Sequence, residues 1–144
     1  MSDKDKVNTG HNIEDKELII NARKPKGELG HKILDRMNKS HESMAQWGVS
    51  HFEISPDDVI LDIGCGEGYY TAALGQNPAL QVYGFDISRE MVRLAAKRGN
   101  GTYFVANMAS IPVADHSFDY CTHLFAPFNE AAFSKVLKQG GRLF

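Results

Sequence analysis

Short apolar runs punctuate the second part of this chain. They are Val59–Ile63, Leu80–Phe85, Thr102–Val105 and Tyr120–Phe125. Runs this short, bounded by glycine, proline or aspartate, predict buried strands. Between them apolar residues recur at helical spacing. One predicted helix covers Tyr69 to Gln76 and ends at Asn77-Pro78. A second is capped by Ser88 and runs to about Arg98, with Met91, Val92, Leu94, Ala95 and Ala96 on its apolar side, stopping at Gly99-Asn-Gly101. A third has Asn129 as N-cap and ends at Leu137-Lys138, and Phe128 is placed to staple Phe133. Gly140-Gly141 then opens a fifth strand, Arg142-Leu-Phe144. Strands alternating with helices predict an α/β fold, a Rossmann-like, doubly wound, mostly parallel sheet with helices on both faces.

The first part of the chain reads differently. Met1 to Asn12 is charged and polar, the composition of a disordered tail. Asp15 to Lys26 holds one apolar patch, Leu18-Ile-Ile20, and a basic cluster, Arg23-Lys-Pro-Lys26. Residues 1–28 are therefore expected to form a disordered or extended arm, and residues 29–144 one domain, with a helical lead-in at 29–55 and a core at 56–144. In the lead-in, Ile33, Leu34, Met37, His41, Met44 and Ala45 share one helical face from Gly30 to Trp47, with Gly48 as the stop. His41 and Trp47 are expected to pack or to lie at the surface. Ser55-Pro-Asp-Asp58 reads as the turn that launches the first strand.

Composition changes little. The 144 residues carry a net charge of −2, so no general basic field points to nucleic acid. No apolar run is long enough for a membrane span, and the N-terminus lacks an apolar signal segment. The two cysteines, Cys65 and Cys121, form no CxxC pair, and His31, His41 and His51 do not share a metal-ligand spacing, so no metal site is expected. A reduced, cytoplasmic setting fits.

The chemistry concentrates after the first strand. Asp62-Ile-Gly-Cys-Gly-Glu-Gly68 puts glycines on alternate positions, Gly64, Gly66 and Gly68. Such a loop turns sharply and lets a ligand lie against bare backbone. The dinucleotide pattern needs its third glycine three places after the second; here it comes two places after, which argues against an NAD-dependent dehydrogenase. Asp86 ends the second strand, 20 residues after Gly66, where an acid can accept from both hydroxyls of a ribose. Asp62 adds negative charge beside the loop. That suits a ligand with a positive centre and disfavours a pyrophosphate.

These residues resemble the class I S-adenosylmethionine-dependent methyltransferases. The resemblance implies S-adenosyl-L-methionine as cofactor and S-adenosyl-L-homocysteine as product. It implies that Asp62, Gly64, Cys65, Gly66, Gly68 and Tyr69 surround the methionine part, that Asp86 holds the ribose, and that Ile87 packs near adenine. Where the family often has an acid for the adenine amino group this chain has Asn107, whose carbonyl can accept without charge; the backbone N–H of Met108 is the second candidate there. Residues leaving the fourth strand, His123 to Phe128, face the place where cofactor and acceptor meet, and His123 completes the candidate set. Amino-group methyltransferases carry a polar residue before Pro127; here it is Ala126. No catalytic base is assigned.

Two phrases, Leu61–Thr71 and Phe125-Ala-Pro127, look most like the bacterial 23S rRNA guanine-N1 methyltransferases, without their four-cysteine zinc module. The lead-in looks instead like that of bacterial methyltransferases acting on small molecules. The expected function is methyl transfer to a small molecule; the alternatives are an rRNA guanine-N1 methyltransferase and a truncated, non-catalytic cofactor-binding fragment. The family continues beyond strand five, so an uncovered apolar sheet edge is expected, with self-association through it.

Overall fold

The computed structural model describes residues 26–124 and 126–144. The polar tail, the Leu18–Ile20 patch, most of the basic cluster and Phe125 lie outside the described residues. The chain divides into two units at Lys39/Ser40. In the first, helix α1 (Gly27–Ser50) begins, with Ile33 and Leu34 buried. This helix extends past both of its expected ends. Gly48 lies inside it rather than stopping it, and the carbonyl of Gly48 accepts from His51 N–H at 3.0 Å. In the second unit, Met44 and Trp47 on its last turns are 59% and 67% exposed. The helical spacing had placed Met44 on the buried face; only Ile33 and Leu34 of that set are fully buried among the described side chains.

The second unit is a five-stranded sheet. Its elements are β1 (Val59–Ile63), α2 (Tyr69–Leu74), β2 (Gln81–Asp86), α3 (Arg89–Arg98), β3 (Thr102–Val105), β4 (Phe118–Thr122), α4 (Glu130–Val136) and β5 (Leu137–Leu143). The strand order is β3-β2-β1-β4-β5, every pair parallel. The order reverses between β1 and its two neighbours, so the carboxyl end of β1 is the switch point where such sheets bind ligands.

Alternation along the strands divides the core in two. Leu61, Ile63, Phe85, Phe118 and Cys121 pack with Phe133 and Val136 of α4 on one face. Ile60, Val82 and Tyr120 pack with Leu74 of α2, and with Phe52, Ile54 and Phe144, on the other. Strict alternation would put Phe118 on the same face as Tyr120. Phe118 instead packs on the opposite face, where the β4–β5 pairing is irregular.

Helix ends follow local chemistry. The Ser88 hydroxyl accepts from Met91 N–H at 3.4 Å, and Asn129 Oδ1 accepts from Ala132 N–H at 3.0 Å. Phe128 and Phe133 stand edge to face, ring centroids 5.4 Å apart, in the predicted staple. α2 stops at Leu74, before the expected Gln76, because Gly75 caps it. The fourth strand starts at Phe118, one residue before the expected Asp119, and ends at Thr122. β5 differs most. Gly140-Gly141 does not open it: Leu137 already pairs with Phe118 directly after α4, and Gly140, at φ 76°, sits in the irregularity where pairing resumes at Arg142. This edge strand carries Lys138, Gln139 and Arg142, and its pairing with β4 is irregular.

Candidate active site at the carboxyl end of β1

β1 delivers Asp62 to the switch point, buried, with 4% of its surface exposed. Its register partners are Gly84 on one side and Thr122 on the other, so all three share one face of the sheet. The Thr122 hydroxyl donates to Asp62 Oδ1 at 2.8 Å and the Thr71 hydroxyl, from α2, donates to Oδ2 at 2.5 Å. Burial pushes the Asp62 carboxyl up to about 6, against the two hydroxyl bonds, and the neighbouring Asp86 raises it further. Among the described residues no cationic side chain pairs with it. Gly84 makes the arrangement fit: a Cβ there would meet Cys65 Cβ at 3.0 Å and Thr71 Cγ2 at 3.2 Å.

The three loop glycines all have positive φ, yet they do different work. A Cβ on Gly64 would come within 2.7 Å of Ala126 Cβ. One on Gly68 would come within 2.8 Å of Ala95 Cβ and 3.1 Å of the Tyr103 ring. Gly64 and Gly68 are thus packing glycines, and they let the β4 exit and α3 close on the loop. A Cβ on Gly66 would meet nothing within 4 Å. Gly66 is the one whose bare face looks into open space.

Asp86 ties this loop to the second strand. Its Oδ2 accepts from Gly66 N–H at 3.0 Å and its Oδ1 from Ser88 N–H at 2.9 Å. Each oxygen keeps a lone pair for a ligand hydroxyl. Cys65 N–H donates to the Phe85 carbonyl at 2.9 Å, a second tie between loop and β2. Burial, with Asp62 and Asp86 adding to it, pushes the Cys65 thiol far above its usual range, so it is no nucleophile. Arg98 reaches back from α3. Its Nε donates to the Glu67 carbonyl at 3.2 Å, it pairs with Glu67 Oε1 at 3.3 Å, and its guanidinium lies 5.5 Å from the centre of the Tyr69 ring.

Ile87, directly after Asp86, is 65% exposed, an apolar side chain at the mouth of the site. Asn107 sits at the end of β3, but its Oδ1 already accepts from Ala109 N–H at 2.9 Å and shapes the turn there. Met108 is half-buried against the core. His123 does not join the carboxylates. Its ring packs on the α4 side, 5.2 Å from Phe133 and 5.8 Å from Phe128.

The structure therefore brings Asp62, Gly64, Cys65, Gly66, Gly68 and Asp86 together, with Tyr69 beginning α2 and Ile87 at the rim. Sequence reading missed Thr71 and Thr122 as the partners of Asp62, and Ala126 as the residue that closes on Gly64. No spacing rule links these three to the site; only strand register and helix placement do. A cleft of about 310 Å³ opens elsewhere, at the amino ends of β2 and β3, between residues such as Gly75, Gln81, Asn100 and Thr102. It lies at the opposite end of the strands and contributes no charged side chain. Among the described residues there is no cluster able to hold a metal ion, and no helix is long and apolar enough to cross a membrane.

The donor set fits S-adenosylmethionine. Open space at Gly66 leaves bare backbone for a ligand to lie against, Asp86 stands beside it with lone pairs to spare, and the buried Asp62 adds negative charge nearby.

The sequence matches the methyltransferase domain family over residues 60–143. Over 118 residues it is 31% identical to the demethylmenaquinone methyltransferase of Anoxybacillus flavithermus, covering 73% of this chain and 50% of that protein. Over 89 residues it is 36% identical to YxjB of Bacillus subtilis, whose name places it among 23S rRNA (guanine-N(1)-)-methyltransferases, covering 58% of this chain and 32% of that protein. The crystal structure of the YcgJ protein of Bacillus subtilis aligns with a TM-score of 0.62 and 28% identity over 72% of this chain and 49% of that one. The chain thus spans half the length, or less, of these relatives. With the family match covering more than half of its residues, and with the loop and acids in place, the chain belongs to the methyltransferase domain family.

Proposed function

We propose that this chain supplies the cofactor-binding part of an S-adenosylmethionine-dependent methyltransferase whose acceptor is a small molecule. The observation that carries the reading is the Gly66–Asp86 hydrogen bond beside the open face of Gly66. It fixes a carboxylate at the rim of a bare-backbone cradle. S-adenosylmethionine supplies an already activated methyl group, so the protein's part is orientation and exclusion of water, effects that supply several kcal/mol. Asp86 orients the nucleoside, the loop backbone seats the amino-acid end, and Asp62 provides charge without solvent competition. Asn107 and Met108 are proposed at the adenine edge.

The demethylmenaquinone methyltransferase relatives support a small acceptor, as does the net charge of −2. The likeness to YxjB favours a second reading, an rRNA guanine-N1 acceptor. Calorimetric titration with S-adenosylmethionine, S-adenosylhomocysteine and NADH tests the cofactor: the first two are expected to bind saturably and NADH not. Transfer of labelled methyl to a cell extract, separated into RNA and small-molecule fractions, tests the acceptor. Label confined to RNA would reverse the order of the two readings. Binding without transfer to either would leave a non-catalytic cofactor-binding fragment.

A further inference from the structure

The glycine loop is held from two sides. On the β2 side, Asp86 Oδ2 accepts from Gly66 N–H at 3.0 Å and the Phe85 carbonyl accepts from Cys65 N–H at 2.9 Å. Those bonds fix the first half of the loop. On the α3 side, one side chain reaches the second half. Arg98, the last residue of α3, donates through Nε to the Glu67 carbonyl at 3.2 Å and pairs through Nη2 with Glu67 Oε1 at 3.3 Å. Its guanidinium also stands 5.5 Å from the centre of the ring of Tyr69, the first residue of α2. Arg98 therefore engages the residues on either side of Gly68. The side chains of Arg98 and Glu67 are 37% and 12% exposed, so this pair is more enclosed than Arg93–Glu90 on the same helix, at 55% and 39%. A planar guanidinium fork can serve a carbonyl and a carboxylate at once, with a geometry that a single ammonium does not match. Arg98 stays off the open face: none of its atoms lies within 4 Å of where a Cβ on Gly66 would stand.

We propose that Arg98 is a positioning residue for cofactor binding: it fixes Glu67, and through Glu67 the angle at which the loop backbone meets the amino-acid end of S-adenosylmethionine. This rests on the proposed placement of the cofactor, with the amino-acid end against the loop and the ribose on Asp86. A glycine-rich loop loses much backbone freedom when it is held in one shape. With Arg98 in place, the second half of the loop is already ordered before the ligand arrives. Without it, the loop spends only part of its time in the seating shape, and the apparent affinity falls by that fraction. The nucleoside end depends on Asp86, whose bonds from Gly66 N–H and Ser88 N–H do not involve Arg98. Loss of Arg98 therefore weakens the hold on one end of the cofactor and spares the other.

The test compares two probes on the full chain by calorimetry. S-adenosylhomocysteine carries both ends; 5′-methylthioadenosine keeps the nucleoside and the thioether but lacks the amino-acid end. Arg98→Met, which retains the apolar stem, is expected to bind S-adenosylhomocysteine about tenfold more weakly than wild type, as follows if the loop holds its seating shape about one-tenth of the time. The same variant is expected to bind methylthioadenosine within about twofold of wild type, a difference that a general loss of structure would not produce. Arg98→Lys, the variant to read if Met does not fold, keeps the charge without the fork and is expected to lose about threefold for S-adenosylhomocysteine alone. Arg93→Met removes an equal charge from the same helix and is expected to change neither affinity. Wild-type affinity for S-adenosylhomocysteine in a folded Arg98 variant overturns the proposal. So does an equal loss for both probes, a matching loss in Arg93→Met, or a wild-type chain that binds S-adenosylhomocysteine but no methylthioadenosine. A wild-type chain that binds neither probe sinks the cofactor reading itself, before any variant is compared.

Discussion

The N–H of Gly66 donates to Asp86 Oδ2 at 3.0 Å, joining the turn after β1 to the last residue of β2 across 20 residues of chain. With Ser88 N–H on Oδ1, two of the carboxylate's four lone pairs are used and two remain beside the open face of Gly66. Asp86→Ala is expected to weaken S-adenosylmethionine binding by about 2 kcal/mol, the usual range for hydrogen bonds to a charged group. Calorimetry on a variant shown to be folded by its circular dichroism checks this. Unchanged affinity would remove the ribose from Asp86.

Gly66 and Gly68 separate binding from folding. Gly66→Val meets open space, so its penalty to the fold is the positive φ of 54°, about 1–2 kcal/mol. Its side chain, however, occupies the ligand's place, and cofactor binding is expected to vanish. Gly68→Ala drives a methyl group into Ala95 and Tyr103 and is expected to lower stability by about 1–3 kcal/mol through overpacking, in addition to its own positive φ. Urea unfolding and cofactor titration on both variants should rank them oppositely.

Asp62 makes stability depend on pH. Its carboxyl titrates at about 6 in the folded chain against the ordinary 3.8 of a solvated aspartate, because burial disfavours the charge. The folded state therefore holds its proton more tightly than the unfolded state. The resulting stabilisation is fully present below about pH 4 and is lost as pH rises through 6, a swing of about 3 kcal/mol. Asp62→Asn should flatten that slope when unfolding is measured between about pH 4 and 7.5. A cationic ligand favours the ionised form, so S-adenosylmethionine affinity in the wild type is expected to fall below about pH 6, and to lose that dependence in Asp62→Asn.

Asn107 offers a gain-of-affinity test. Its Oδ1 already accepts from Ala109 N–H, which leaves one uncharged lone pair for an adenine amino group. Asn107→Asp keeps an oxygen for Ala109 and frees a second for adenine. S-adenosylmethionine affinity is expected to rise by several-fold, on the order of 1 kcal/mol. Weaker binding would place adenine elsewhere.

Along the chain alone, β1, β3, the Ser88 and Asn129 caps, the glycine loop and the acid 20 residues on are already legible. Each of these is local: an apolar run, a hydroxyl or amide before a helix, or a spacing along one strand–turn–helix unit. The strand order β3-β2-β1-β4-β5 came only from the tertiary structure. Tertiary structure alone decided which glycine faces open space. Gly64, Gly66 and Gly68 are identical as letters, and only the approach of Ala126 and Ala95 tells them apart. It also decided that Asp62 is buried under Thr71 and Thr122, that Asn107 serves its own turn, and that β5 begins before Gly140. Those outcomes depend on contacts between residues distant in the chain, set by strand register and by how helices pack on the sheet, and no local pattern encodes them.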